Sequence, residues 1–213
     1  MKAVQPLTFQ RTLRISFVLA LLLLAGMGAG LLVGAYDLTF SDLVSLVLPW
    51  VDDATVSDSA RAVFVEIRLP RVTLALIVGG GLAVAGVVFQ VLLRNVLADP
   101  YILGVSGGAS VGALTAIATG LSGMYLFAQP VLAFVGALLV VALVYRFGSR
   151  SSMGDNTLLL SGVMIGAFLS AIILALVTTM DRPVRNALFW LVGYLGNATA
   201  TEVMILVPVV MPL

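Results

Sequence analysis

Long apolar stretches broken by short polar links set the first expectations along this chain. A helix rises about 1.5 Å per residue, so roughly twenty apolar residues cover the ~30 Å hydrocarbon core of a bilayer. Ile15 to Ala35 meets that criterion without a charge. Tyr36 to Arg71 follows, mostly polar, with six acids (Asp37, Asp42, Asp52, Asp53, Asp58, Glu66) against three arginines. Further spans are expected over Val72 to Leu93, from Pro100 or Tyr101 to Gly120, over Tyr125 to Tyr145 and over Thr157 to Met180. Ala187 to Leu195 is apolar but too short to cross, which fits a re-entrant or interfacial helix. A sixth span opens at Val203. The pattern predicts an all-α polytopic membrane protein of about six helices, a single transmembrane domain over residues 1–213 that stops inside an apolar span, as a fragment of a longer chain would.

Composition removes the soluble alternative. The apolar share is 61% and the charged share 10%, and the mean hydropathy is +1.17. Ten acids and eleven bases cannot clothe a soluble fold of this size. The first span is too long for a signal-peptide core and leads into no soluble domain. Charge also orients the chain. With the N-terminus inside, the inner segments hold Lys2, Arg11, Arg14, Arg94, Arg146 and Arg150 against Asp99 and Asp155, whereas the outer segments hold five arginines and eight acids. The basic N-terminus facing an acidic first loop is the strongest part of that assignment.

The candidate chemistry is mainly negative. A net charge of +1 gives no reason to expect nucleic-acid binding, and zero cysteines and zero histidines remove the commonest metal ligands and the usual general base. No Ser/His/Asp set occurs, so no catalytic residue, metal site or cofactor is expected. Gly79-Gly80-Gly81 is not a nucleotide loop, because no Gly-Lys-Ser/Thr follows it. ATP hydrolysis, if it drives this protein, belongs to another polypeptide.

Glycines recur four apart: Gly26, Gly30 and Gly34; Gly104, Gly108 and Gly112; Gly162 and Gly166. Residues at that spacing share a helix face, so these rows read as grooves for close helix packing. Arg68 and Arg71 flank Pro70 at the outer entrance of the second span; they read as a basic pair for an extracytoplasmic partner or as interfacial anchors. Gln90 offers an interhelical hydrogen bond or a transport contact. Arg94, Asn95, Asp99 and Pro100 form a short inner turn, where Asn95 and Asp99 can bind backbone and Asp99 or a neighbour can cap the next helix. A surface for a cytoplasmic partner is the other reading of that turn.

The middle of the chain also resembles a known family. Arg68-Leu69-Pro70-Arg71, Gly86, Gln90, Arg94-Asn95, Leu97-Ala98-Asp99-Pro100, Leu103-Gly104 and Gly108-Ala109 look like the signature of the FecCD permeases. Leu159-Leu160-Ser161-Gly162 and Phe189-Trp190-Leu191-Val192-Gly193 extend the likeness. The resemblance implies a type II ABC importer permease, about the first six of ten transmembrane helices, for an iron-siderophore or similar chelate, with haem or vitamin B12 as alternatives. It implies a second permease subunit (the same chain or another), cytoplasmic ATP-binding subunits and an extracytoplasmic substrate-binding protein that docks on Arg68 and Arg71. Val96 departs from the family's usual proline, leaving that turn less rigid. An ion-coupled secondary transporter is the rival class; the absence of charge deep in spans one to five counts against it.

Overall fold

The structure, a computed structural model, describes residues 8–48, 56–96, 99, 101, 103–148, 156–180, 184–196 and 198–210. Among these residues all regular secondary structure is helical. The expected positions Lys2, Asp52, Asp53, Pro100, Arg150, Asp155 and Asp181 lie outside them. Backbone contacts divide the chain into two compact units, one of residues 1–79 with 195–213 and the other of residues 80–194.

In the first unit, α1 (Phe9–Leu32) is the first apolar span. α2 (Phe40–Val47) starts at a Thr39–Asp42 capping box: the Thr39 hydroxyl accepts from the Asp42 N–H and the Asp42 carboxylate from the Thr39 N–H. The hydroxyl and amide of Thr39, both donating to Asp42, hold that carboxyl below its ordinary range. α3 (Asp58–Ala62) passes without a break into a π-helical turn, Val63–Arg68, and then into α4 (Leu69–Leu92). The resulting helix runs unbroken for 35 residues, about 52 Å at helical rise, well beyond the hydrocarbon thickness. The second span thus begins in the segment read from the sequence as an outer loop. The acids Asp58 and Glu66 that disguised it ride on the N-terminal part of that helix. Leu38, Ala60 and Phe64 form a small buried cluster there, with Leu31, Leu43, Leu46 and Val56 against it.

The second unit is built around α5 (Val105–Ala118), which packs against α7 (Ala128–Gly148) and α8 (Asn156–Thr179). α6 (Leu121–Met124) is a single turn between α5 and α7. At 14 residues α5 is about 21 Å long. It is small and apolar all round, which suits a helix enclosed by others rather than one facing lipid. Ala113, Leu114 and Ala116 are fully buried.

α9 (Val184–Leu191) is the short apolar piece expected near Trp190. It ends in a Schellman turn, with Gly193 at φ 70° and its N–H donating to the Trp190 carbonyl. Tyr194 donates to the Phe189 carbonyl and stacks on the Phe189 ring at 4.8 Å. α10 (Ala200–Val210), in the first unit, opens at a second capping box, Thr199 with Glu202.

The expected six spans therefore resolve differently: four helices are long and apolar enough to cross a membrane among the described residues, α5 is shorter, and α10 is described over 11 residues.

Candidate functional site

Three places gather the residues singled out in the sequence. The first is the C-terminal end of the π turn. Arg68 is buried, only 6% exposed, and points into the end of α1. Its Nη1 donates to the Leu31 carbonyl at 2.6 Å and the Leu32 carbonyl at 2.7 Å, and its Nη2 donates to the Tyr36 carbonyl. The last carbonyls of a helix lack partners inside that helix, and the C-terminal end carries partial negative charge, so a guanidinium satisfies both demands. Gly34 makes the approach possible: a Cβ there would lie 2.7 Å from Arg68 Nη2.

Arg71 is exposed and donates from Nη2 to the Gly196 carbonyl at 3.0 Å. The expectation of two equivalent outward-facing arginines needs correction, because the burial of Arg68 leaves Arg71 as the exposed member. Uniform α-helical spacing would put the two on similar sides; what turns Arg68 inward is its place at the end of the π turn, beside open carbonyls. No sequence pattern announces that turn.

The second place is the glycine seam of the 80–194 unit. A Cβ on Gly108 would lie 2.5 Å from the Gly136 carbonyl, one on Gly112 2.0 Å from the Leu132 carbonyl, and one on Gly136 2.2 Å from the Gly108 carbonyl. The backbones of α5 and α7 touch at these three points, leaving no room for a side chain. Gly104, at φ 74°, faces Gly162 and Gly166 of α8 instead, with the Gly166 nitrogen 3.3 Å from its built Cβ. The row at 104, 108 and 112 thus serves two neighbouring helices.

Gly136 and Gly107, the latter against Leu169, fall outside any four-residue glycine row, so periodicity did not find them. In the other unit Gly30 meets Val72 at 3.2 Å, but Gly26 has nothing within 4 Å among the described residues. Spacing alone assigned Gly26 a packing role that this geometry does not support.

The third place is the link after α4. The Arg94 N–H donates to the Val91 carbonyl and the Asn95 N–H to the Gln90 carbonyl, a Schellman turn that puts Arg94 at φ 47°. Glycine is the usual occupant of that position; an arginine there costs about 1–3 kcal/mol. Asp99 accepts from the Tyr101 N–H at 2.8 Å, so it ties the turn through its side chain. It does not cap α5, whose N-cap position is Gly104. Gln90 is half-buried, and no side-chain hydrogen bond joins it to another helix among the described residues. No cluster of metal-ligating side chains occurs among the described residues.

A buried arginine at the π turn, a close-packed glycine seam and a tied link after α4 thus sit on one chain whose described regular structure is helical. The sequence profile of the FecCD transport family matches residues 18–213. The chain belongs to the FecCD transport family. It is a multi-pass protein of the cell membrane. It is 41% identical over 156 residues to the cobalamin import system permease BtuC of Halobacterium salinarum, covering 73% of this chain and 42% of that protein. It is 30% identical over 193 residues to the Fe(3+)-citrate import system permease YfmD of Bacillus subtilis, covering 90% of this chain and 56% of the relative.

A solved ABC transporter in an inward-facing conformation, provisionally typed as a metal-chelate transporter, superposes with a TM-score of 0.68 at 30% identity. That likeness covers 90% of this chain and 56% of the other. The chain therefore spans about half the length of the FecCD relatives it matches.

Proposed function

We propose that this chain forms part of the membrane permease of an ATP-driven importer that carries a metal chelate into the cytoplasm. The observation carrying that reading is the FecCD match across residues 18–213, on a fold whose spans are packed by backbone contact rather than by charge. A ferric chelate is the first substrate class, supported by the ferric citrate relative that covers 90% of the chain. A cobalt corrinoid is the second, favoured by relatives named for cobalamin or vitamin B12 import at 41% and 35% identity. Both substrates are bulky chelates of a metal, which accounts for one scaffold serving both.

In this reading ATP is hydrolysed on cytoplasmic subunits, since the chain carries no Walker signature. A second permease subunit completes the pathway, and a substrate-binding protein docks outside. Arg71 offers its guanidinium to a carboxylate of that partner, while Arg68, behind it, fixes the segment from which docking occurs. Full-length permease reconstituted with its ATPase and binding protein separates the two substrates. Radioiron accumulation from a ferric chelate that excess cobalamin fails to compete supports the first class. Cobalt-labelled cobalamin uptake that ferric chelates fail to compete replaces it with the second, and uptake of neither contradicts the chelate reading.

A further inference from the structure

α2 has no part in the arginine site, the glycine seam or the link after α4. Its apolar residues divide between two directions. Leu43 and Leu46 pack against the buried cluster of Leu38, Ala60 and Phe64. Phe40 and Val47 stay 70% and 54% exposed, with Val44 half-buried between them. Positions 40, 44 and 47 fall on one stripe of a helix, so they form a continuous apolar edge rather than scattered side chains. Ser41, Asp42 and Ser45 take the remaining side. The helix thus has one side on the protein, one polar side and one apolar side left exposed.

The packing also fixes the level of that apolar edge. Leu31, in the last turn of α1, packs against the same cluster as Leu43 and Leu46. The uncharged run of α1 starts after Arg14, and about twenty residues are needed to cross the hydrocarbon, so the crossing uses α1 to its end. α2 is therefore held beside the turn where the chain leaves the membrane. Apolar surface is exposed on both sides of that junction, with Val33, the residue closing α1, 78% exposed. Length adds a further demand. α2 has eight residues, and isolated helices shorter than about 12–15 residues are marginal in water.

We infer that α2 lies in the bilayer interface beside the end of α1, with Phe40, Val44 and Val47 set into the boundary of headgroups and acyl chains. Ser41, Asp42 and Ser45 then face water, as the polar side of an interfacial amphipathic helix does. The Thr39–Asp42 capping box satisfies the start of the helix on that wet side. Asp37 and Asp42 have the wrong sign for an acidic protein partner and for anionic headgroups alike, so the occupant is the apolar boundary of the bilayer, whatever its headgroup charge. The inference rests on membrane residence of the chain and not on the transported substrate.

The test is site-directed spin labelling of full-length permease in phosphatidylcholine nanodiscs. The 213 residues contain no cysteine, so once any cysteine beyond them is replaced, single labels report from positions 40, 41, 44, 45 and 47. Collision with oxygen, which concentrates in hydrocarbon, is compared with collision with a water-soluble nickel chelate. Labels at 40, 44 and 47 favour oxygen and labels at 41 and 45 favour nickel, in phase with the helix. Combining Phe40→Ser with Val47→Ser removes the oxygen preference of a label at Val44, while a label at Leu22, 63% exposed on α1, keeps it. Both serines lie off the buried cluster, so the unfolding temperature in detergent stays at the wild-type value, which separates loss of lipid contact from loss of fold. Nickel access at all five positions overturns the proposal. So does nickel access at 40 and 47 that added binding protein closes off, which makes the stripe a protein-docking surface. Insertion seen only when phosphatidylglycerol is present contradicts a contact independent of headgroup charge.

Discussion

Arg68 and Arg71 show how two chemically identical side chains three positions apart acquire different work. Removing the Arg68 guanidinium leaves the Leu31, Leu32 and Tyr36 carbonyls without that donor in a part-buried site. An unsatisfied buried acceptor costs about 1–3 kcal/mol. Arg68→Ala should therefore lower unfolding stability by about that much in detergent, whereas Arg71→Ala, exposed and holding one carbonyl, should stay within about 1 kcal/mol. Affinity for the binding protein should respond in the opposite sense, with Arg71→Ala losing the salt-dependent part and Arg68→Lys keeping it if the protein remains folded. Equal stability losses for the two alanine variants would remove the distinction. The arginine motif was legible in the sequence, but its inward half was not. A π turn carries no periodic signature, and the carbonyls it aims at belong to the end of α1 and to Tyr36 just after it, more than thirty residues earlier in the chain.

At the scale of elements, apolar length located the spans, while polar residues misplaced their limits. α4 reaches back to the π turn and α3 because helix propensity and capping by Ser57 at the Ala60 N–H outweigh a few exposed acids. Glycine spacing found α5 as a packing helix, since the 104, 108 and 112 row lies on one stripe. It missed Gly136, the partner on α7, because a lone glycine has no period; only the facing backbone reveals its role. Both capping boxes were visible as Thr-x-x-Asp and Thr-x-x-Glu, and are the signal that would have placed the starts of α2 and α10.

The seam makes a graded prediction. Gly112→Ala drives a Cβ into the Leu132 carbonyl, which forces the α5 and α7 backbones apart and should cost about 3 kcal/mol or more, the upper end of overpacking. Gly136→Ala should behave similarly. Gly26→Ala, with open space around it, should be neutral or stabilising by up to about 1 kcal/mol through helix propensity. Chemical denaturation of the three variants checks the order, and a Gly26 variant as damaging as Gly112 would show that α1 is packed in a way this geometry lacks.

For the whole molecule, membrane residence and class followed from composition and from the run Arg68 to Ala109, because lipid imposes helices on any spanning backbone. The substrate did not follow, since apolar spans joined by small packing residues carry little chemical information about what passes them. An ion-coupled carrier would need an ionisable group at mid-membrane to bind its ion. The decisive measurement is chelate uptake into proteoliposomes containing full-length permease, its ATPase and its binding protein, with ATP inside and ion gradients collapsed by ionophores. The account predicts accumulation that requires ATP and persists without any gradient. Uptake that runs on an imposed proton or sodium gradient in the absence of ATP would contradict it.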